Sequence, residues 1–168
     1  MVYTIKIWTD GGCRNHGTPN AIGASAAVFE TGPGVYMSWT RSLPSHPPPT
    51  SQRAEIDAIN LALDQALVFY EELPSYTRLD VTIYSDSRYV VGCMTQWIPR
   101  FINNGWRNSA GRPVANRDLL EEAWYLNNEL RQRGYVEYRW FPREQNQVAD
   151  GLCDEEMDNH SHWQYGRY

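Results

Sequence analysis

The chain has 168 residues, 42% hydrophobic and 21% charged, enough for one ordinary domain with a single core; no apolar run approaches the ~18 residues of a membrane span. A formal net charge of -5 excludes a blanket affinity for nucleic acid, which lysine and arginine drive. Cys13, Cys93 and Cys153 are odd in number and too scattered for a disulfide framework or a zinc site, so free thiols in a reducing, intracellular compartment are expected, whether cytoplasm, nucleus or organelle.

The opening MVYTIKIWTD lacks the basic region and long apolar stretch of a leader and reads as a first strand, Val2 to Trp8. It ends in a carboxylate, Asp10, followed by Gly11 and Gly12, and a charge at the end of a buried strand is costly unless paired. A turn, CRNHGTPN, leads to a second strand, Ile22 to Phe29. The tight-turn residues Thr31-Gly32-Pro33-Gly34 lead to a third, Val35 to Thr40, completing an antiparallel meander. SLPSHPPPT is a connector, because consecutive prolines remove donors and force extended geometry.

Thr50 or Ser51 then caps a helix of about five turns, SQRAEIDAINLALDQALVFY. On it Glu55, Ala58, Ile59, Ala62 and Ala66 share one face, which places a glutamate of the first turn on the apolar stripe at the rim of a sheet. Leu79 to Tyr84 alternates as a strand and ends at a second carboxylate, Asp86, where a helix starts. Asp118 to Arg131 is a helix with Leu119, Leu120, Ala123, Leu126 and Leu130 as its buried stripe, stopped by Gly134. Tyr135 to Phe141 is the fifth strand. A last helix, about Asn146 to Met157, carries Asp150 on one face with Asn146, Cys153 and Met157. The order predicts an α/β domain with a five-stranded mixed sheet covered by helices.

If the strands bearing Asp10 and Asp86 lie side by side and parallel, joined by a right-handed crossover, both aspartates emerge at the strand C-termini, where open α/β sheets bind ligands. Each acid alone has a bland reading as a cap, turn or solvated charge. Four converging at a buried rim would resist ionisation unless a cation offset them, and all-oxygen ligation suits Mg²⁺ or Mn²⁺.

TDGGCRNHG, SQRAE, YSDS and NQVADGL resemble, in order and near spacing, the four acidic motifs of the type 1 ribonuclease H catalytic domain in its eukaryotic form. The similarity runs from Ile7 to about Met157. It implies the ribonuclease H-like fold over residues 1–168, with a core over about 2–157, a handle over about 97–117 and a tail over 158–168. It also implies Asp10, Glu55, Asp86 and Asp150 as catalytic ligands of two Mg²⁺ ions, with Mn²⁺ possible. The implied reaction is hydrolysis of the RNA strand of an RNA/DNA hybrid by a monomer, leaving 5′-phosphate and 3′-hydroxyl ends.

Between Trp97 and Arg117 lie Arg100, Arg107, Arg112 and Arg117 with no acid among them. WIPRFINNGWRNSAGRPVANRDL is similar to the family's handle, which grips the DNA strand. The resemblance makes Trp97 and Phe101 an aromatic ridge for deoxyribose and counts Trp106 and Ser109 of the same protrusion among the nucleic-acid contacts. Thr50 and Asn116 would hold a DNA phosphate. Gln52 with Asn15 or His16 would face the minor groove, where polar groups can read 2′-hydroxyls, and Asn146 would join the nucleic-acid contacts.

The pattern departs from the family at FPREQNQVAD, which is several residues short and lacks the loop histidine before the last acidic motif. Arg143 or Glu144 occupies that turn, and the expectation is slower turnover with chemistry retained, unless His160 or His162 of the tail substitutes. Ile102-Asn103 stands where paired lysines are common, implying weaker hybrid binding, and Ser51 replaces a common asparagine. Cys13 and Cys153 read as packing residues. The competing classes are a non-catalytic hybrid-binding domain and a free-standing retroelement-derived nuclease of the same fold.

Overall fold

A computed structural model describes residues 1–165, with side chains described through His160. Five strands, β1 (Val2–Arg14), β2 (Ile22–Gly32), β3 (Val35–Ser42), β4 (Arg78–Ser85) and β5 (Gly134–Trp140), form one mixed sheet in the order β3-β2-β1-β4-β5. The first three pair antiparallel, while β4 runs parallel to both β1 and β5. Parallel neighbours need long crossovers. Here α1 (Ser51–Glu71) precedes β4, and α4 (Arg117–Arg131) precedes β5.

Side-chain alternation divides the sheet into two faces. Ile5, Ile7, Ala27, Phe29, Val81 and Ile83 point to one side and form the main core with Ile59, Ala62 and Ala66 of α1 and Leu120, Ala123 and Leu130 of α4. Trp8, Ala24, Ala26 and Val28 point to the other side and meet Ala149, Cys153 and Met157 of α5 (Gln147–Tyr165). Helices thus cover both faces, as the pattern predicts. Thr50 is the N-cap of α1, its hydroxyl accepting from the Arg53 N–H at 3.1 Å.

Three boundaries differ from expectation. Strand β1 does not stop before Asp10 but runs to Arg14, paired there with β2. Gly134 does not end α4; it opens β5, where an added Cβ would lie 1.8 Å from the Leu79 carbonyl oxygen, so it is glycine for close strand approach. Helix α5 continues past Met157, so the expected tail from residue 158 is helical through Tyr165. His162 lies outside the residues whose side chains are described.

Between β4 and α4 the chain forms α2 (Arg88–Gly92), a π-helical turn over Cys93–Trp97 and α3 (Ile98–Asn103), then a loop to Asn116. Gly92 makes room for the Trp97 ring, which an added Cβ would meet at 2.7 Å.

Candidate active site

The last pair between β1 and β4 is Thr9 with Ser85, so Asp10 and Asp86 follow side by side at the same end of adjacent strands. Asp10 shares the face of Trp8 and points toward α5. Gly11 therefore faces α1, and a Cβ there would lie 2.2 Å from the Ala54 carbonyl carbon. Its absence lets α1 press onto the strand and brings up Glu55, the fifth residue of the helix and one position past the first turn. Gly12 faces α5, where a Cβ would lie 2.9 Å from the Met157 terminal methyl. The two glycines are the gaps through which the helices carrying Glu55 and Asp150 reach Asp10.

Asp10, Glu55, Asp86 and Asp150 line one cleft of about 240 Å³, with Arg143 at its rim. Asp10 is 7% exposed. Burial, the neighbouring Asp86 charge and contact with Asp150 push its carboxyl up to about 8, although the Gly11 backbone N–H pulls the other way. Burial also raises Glu55, partly offset by a hydrogen bond from the Ser87 hydroxyl. Elsewhere the chain neutralises a buried acid: Asp57 of α1 accepts from Arg41 at 2.9 Å and from Ser25 at 2.7 Å. Among the described residues that line the cleft the cations are Arg143, 3.9 Å from Asp150 and largely exposed, and Arg14, which is engaged with Asp154 and Asp158. Uncompensated oxygens of this kind are the donor set that a hard divalent ion accepts, and such an ion would relieve their repulsion. Among the described residues no three His, Cys, Asp or Glu side chains cage an ion unaided. That is compatible with Mg²⁺, which ordinarily keeps waters and takes substrate oxygens.

The acids are held by neutral donors. Asn146 gives its amide N–H both to the Thr9 carbonyl at 2.9 Å and to Asp86 Oδ2 at 3.2 Å, tying β1 to the acid that follows β4. The Trp140 indole N–H donates to the Asp86 carbonyl at 3.0 Å. Cys153 gives its thiol to the Asp10 carbonyl at 3.2 Å, and burial pushes that thiol far up, so it packs and donates rather than attacks. Asn146→Ala should lower kcat about 10- to 100-fold by freeing Asp86. It should also cost about 1–3 kcal/mol of stability by stranding the Thr9 carbonyl. Steady-state cleavage and urea denaturation of the variant check both effects; wild-type values in either would remove the tether.

The expected nucleic-acid contacts divide. Asn15 and His16 are exposed in the β1–β2 turn, and Gln52 is exposed at the start of α1. Asn116, in a left-handed conformation at φ 64°, reaches Gln52 at 3.5 Å and the Tyr89 hydroxyl at 3.3 Å, so the handle meets the first turn of α1 beside Thr50. Trp97 is 36% exposed and leans on Tyr89, its ring centroid 6.3 Å away. Ser109 sits on the exposed loop. Phe101 is half-buried against Trp106, 6.0 Å between centroids. Two expectations need correction. Trp106 is 8% exposed and packs into the main core, so it props Phe101 and has little surface for a nucleotide. Asn146 is 2% exposed with its amide committed to Thr9 and Asp86, which makes it a tether and not a surface contact. Ser87, Trp140 and Arg88 also gather beside Asp86, and of the three only Ser87, a cap residue after YSD, carries a local signal in the sequence.

The RNase H family model matches residues 3–159. The chain belongs to the RNase H family. As a family member it is an enzyme of the ribonuclease H class. It is 30% identical over 160 residues to Ribonuclease HI of Haemophilus influenzae, covering 92% of this chain and 88% of that one. Its fold is similar to that of LC9-RNase H1, described as a type 1 RNase H with the type 2 active-site motif; the TM-score is 0.72 at 25% identity, over 92% of this chain and 72% of that one. It is also similar in fold to LC11-RNase H1 solved in complex with RNA/DNA hybrid, with a TM-score of 0.66 at 23% identity, over 93% of this chain and 98% of that one. No described helix is long and apolar enough to cross a membrane.

Proposed function

We propose that this RNase H family member is an endonuclease that hydrolyses the RNA strand of RNA/DNA hybrids, working as a monomeric catalytic domain over residues 1–168 and leaving 5′-phosphate and 3′-hydroxyl ends. Its type 1, eukaryotic-form character belongs to the same proposal. The observation that carries the reading is the meeting of four acids from four separate segments in one cleft, with no compensating buried cation among the described residues. The names of its relatives and the hybrid bound in a structure of the same fold support the substrate.

Asp10, Glu55, Asp86 and Asp150 would hold two divalent ions, Mg²⁺ with Mn²⁺ as a substitute. Bound there, such ions supply activation of the attacking water and charge neutralisation at the leaving 3′-oxygen. Asp10 has acid neighbours on both sides, Asp86 and Asp150, which suits it to a shared position. Glu55, Asp86 and Asp150 would share the hold on the ions with it. The Thr50 hydroxyl and the Asn116 amide orient a DNA phosphate, Gln52, Asn15 and His16 face the minor groove, and Trp97, Phe101 and Ser109 line the handle.

The test is cleavage of labelled RNA/DNA hybrid, duplex DNA and duplex RNA with Mg²⁺ or with chelator. Hybrid-only, chelator-sensitive cutting with polymerase-extendable 3′ ends is expected. Equal cutting of duplex RNA, or none of the hybrid, would end the reading.

Among the described residues no histidine lines the cleft. The pH–rate profile should therefore show no essential ionisation near about 6.5, the imidazole range. An inflection there that disappears in His160→Ala would assign the helix α5 histidine to proton transfer.

A further inference from the structure

The β4–β5 side of the cleft holds a second arrangement that the four acids do not explain. Trp140, the last residue of β5, donates its indole N–H to the Asp86 carbonyl at 3.0 Å and is 38% exposed. Over its outer face lies the Arg88 guanidinium, 3.7 Å from the ring centroid. Arg88 is itself exposed. The other cations around the cleft are each engaged with an acid: Arg14 with Asp154 and Asp158, Arg53 with Asp118, and Arg143 with Asp150. Among the described residues no carboxylate lies within ion-pair distance of Arg88.

A guanidinium stacked on an indole is fixed in orientation and already stripped of water on one face, so less freedom is lost when its N–H edge meets an anion. That edge presents parallel donors, the geometry that matches two oxygens of a phosphate. We propose that Arg88, seated on Trp140, binds a backbone phosphate of the strand being cut, next to the scissile phosphate, and that Trp140 is a positioning residue holding both Arg88 and the Asp86 backbone. This rests on the hybrid-nuclease reading. Arg88 follows Asp86 by two residues, whereas the handle assigned to the DNA strand begins beyond α2, which places Arg88 on the strand facing the acids.

Binding of labelled hybrid in chelator, followed by fluorescence anisotropy across a salt series, tests the clamp without turnover. Arg88→Ala should weaken binding about tenfold at the lowest salt and reduce the log–log salt slope by about one. Arg88→Lys should restore the slope but not the full affinity. In cleavage assays with Mg²⁺ the Arg88→Ala loss should fall on KM rather than kcat. Trp140→Phe keeps a ring under the guanidinium but loses the N–H; it should retain the salt slope and lower kcat through Asp86. An Arg88→Ala slope equal to wild type overturns the phosphate site, and weaker binding at that unchanged slope would make Arg88 a base-stacking surface instead. Wild-type kcat in Trp140→Phe removes the positioning role. Wild-type protein that neither binds nor cuts hybrid overturns the nuclease reading and the clamp with it, whereas an active wild type with an unaltered Arg88→Ala overturns the clamp alone.

Discussion

With asparagine at position 10, hybrid cleavage should fall by on the order of a thousandfold or more. The same protein, free of metal, should melt at a higher temperature than wild type at pH 8. Both effects come from one crowded carboxylate. In the unfolded chain Asp10 releases its proton near the ordinary value of 3.8, while in the folded state burial, then Asp86 and Asp150, hold it until about 8. Between those values the folded protein carries a proton that the unfolded chain has lost. The stability linked to that proton is fully present below about pH 4 and is lost as pH rises through about 8, a loss on the order of several kcal/mol. Asparagine has no proton to give up and keeps a similar volume, so this part of the pH dependence disappears. Saturating Mg²⁺ should flatten the wild-type curve in the same way, because binding to the folded state offsets the repulsion. Melting curves at pH 5 and pH 8, with chelator and with Mg²⁺, would show this. A wild type whose alkaline loss of stability is matched by Asp10→Asn would mean that the carboxylates do not strain one another.

Gly11→Ala should be the most damaging single methyl in the molecule's catalytic half. The added carbon would stand 2.2 Å from the Ala54 carbonyl carbon, 2.3 Å from the Glu55 nitrogen and 2.4 Å from the Ala54 oxygen. All three are main-chain atoms, so no side-chain rotation relieves the overlap and α1 must back away from β1. A cost of about 3 kcal/mol or more is expected, an overpacking penalty at the upper end of its usual range. The melting temperature should drop by roughly 6–12 °C. Because α1 carries Glu55, cleavage should be lost even in the fraction that folds. Gly12→Ala is the internal comparison: its obstacle is the flexible end of Met157, and it should cost distinctly less. Gly32→Ala, with nothing within 4 Å, should leave stability within about 0.5 kcal/mol of wild type. Equal melting temperatures for Gly11→Ala and Gly32→Ala would show that helix and strand are not in contact at this point.

Much of this arrangement is written in local pattern. The alternation of Leu79, Val81 and Ile83 and the alanine stripe of α1 are consequences of period and residue size, and both elements form where those patterns place them. Each acid alone passes for a cap, turn or solvated charge; the four could be singled out only together, from their order along the chain and the motifs that carry them. What escaped notice depends on partners far along the chain. Gly-Gly after Asp10 reads as the end of a strand, yet it is strand interior that must admit two helices. Gly134 looks like a helix stop because the constraint on it comes from Leu79, which no neighbouring residue reveals. Trp106 resembles a stacking platform because composition does not say which side of an aromatic residue is occupied, and here it is the main core. The tie from Asn146 to Thr9 spans 137 positions, a distance over which one-dimensional periodicity carries no information.

The division of β1 into two sides has a consequence for how this polypeptide can change length. Asp10 looks toward α5 while Gly11, one residue later, looks toward α1. Insertion of a single amino acid between Ile5 and Thr9 would turn the aspartate toward the Ala54 backbone, and deletion of one would leave a glycine hydrogen where the cleft-facing carboxylate belongs. The segment is thus written in couplets: evolution or engineering can lengthen the turn after Arg14, but upstream of it only paired changes preserve which way the acid points.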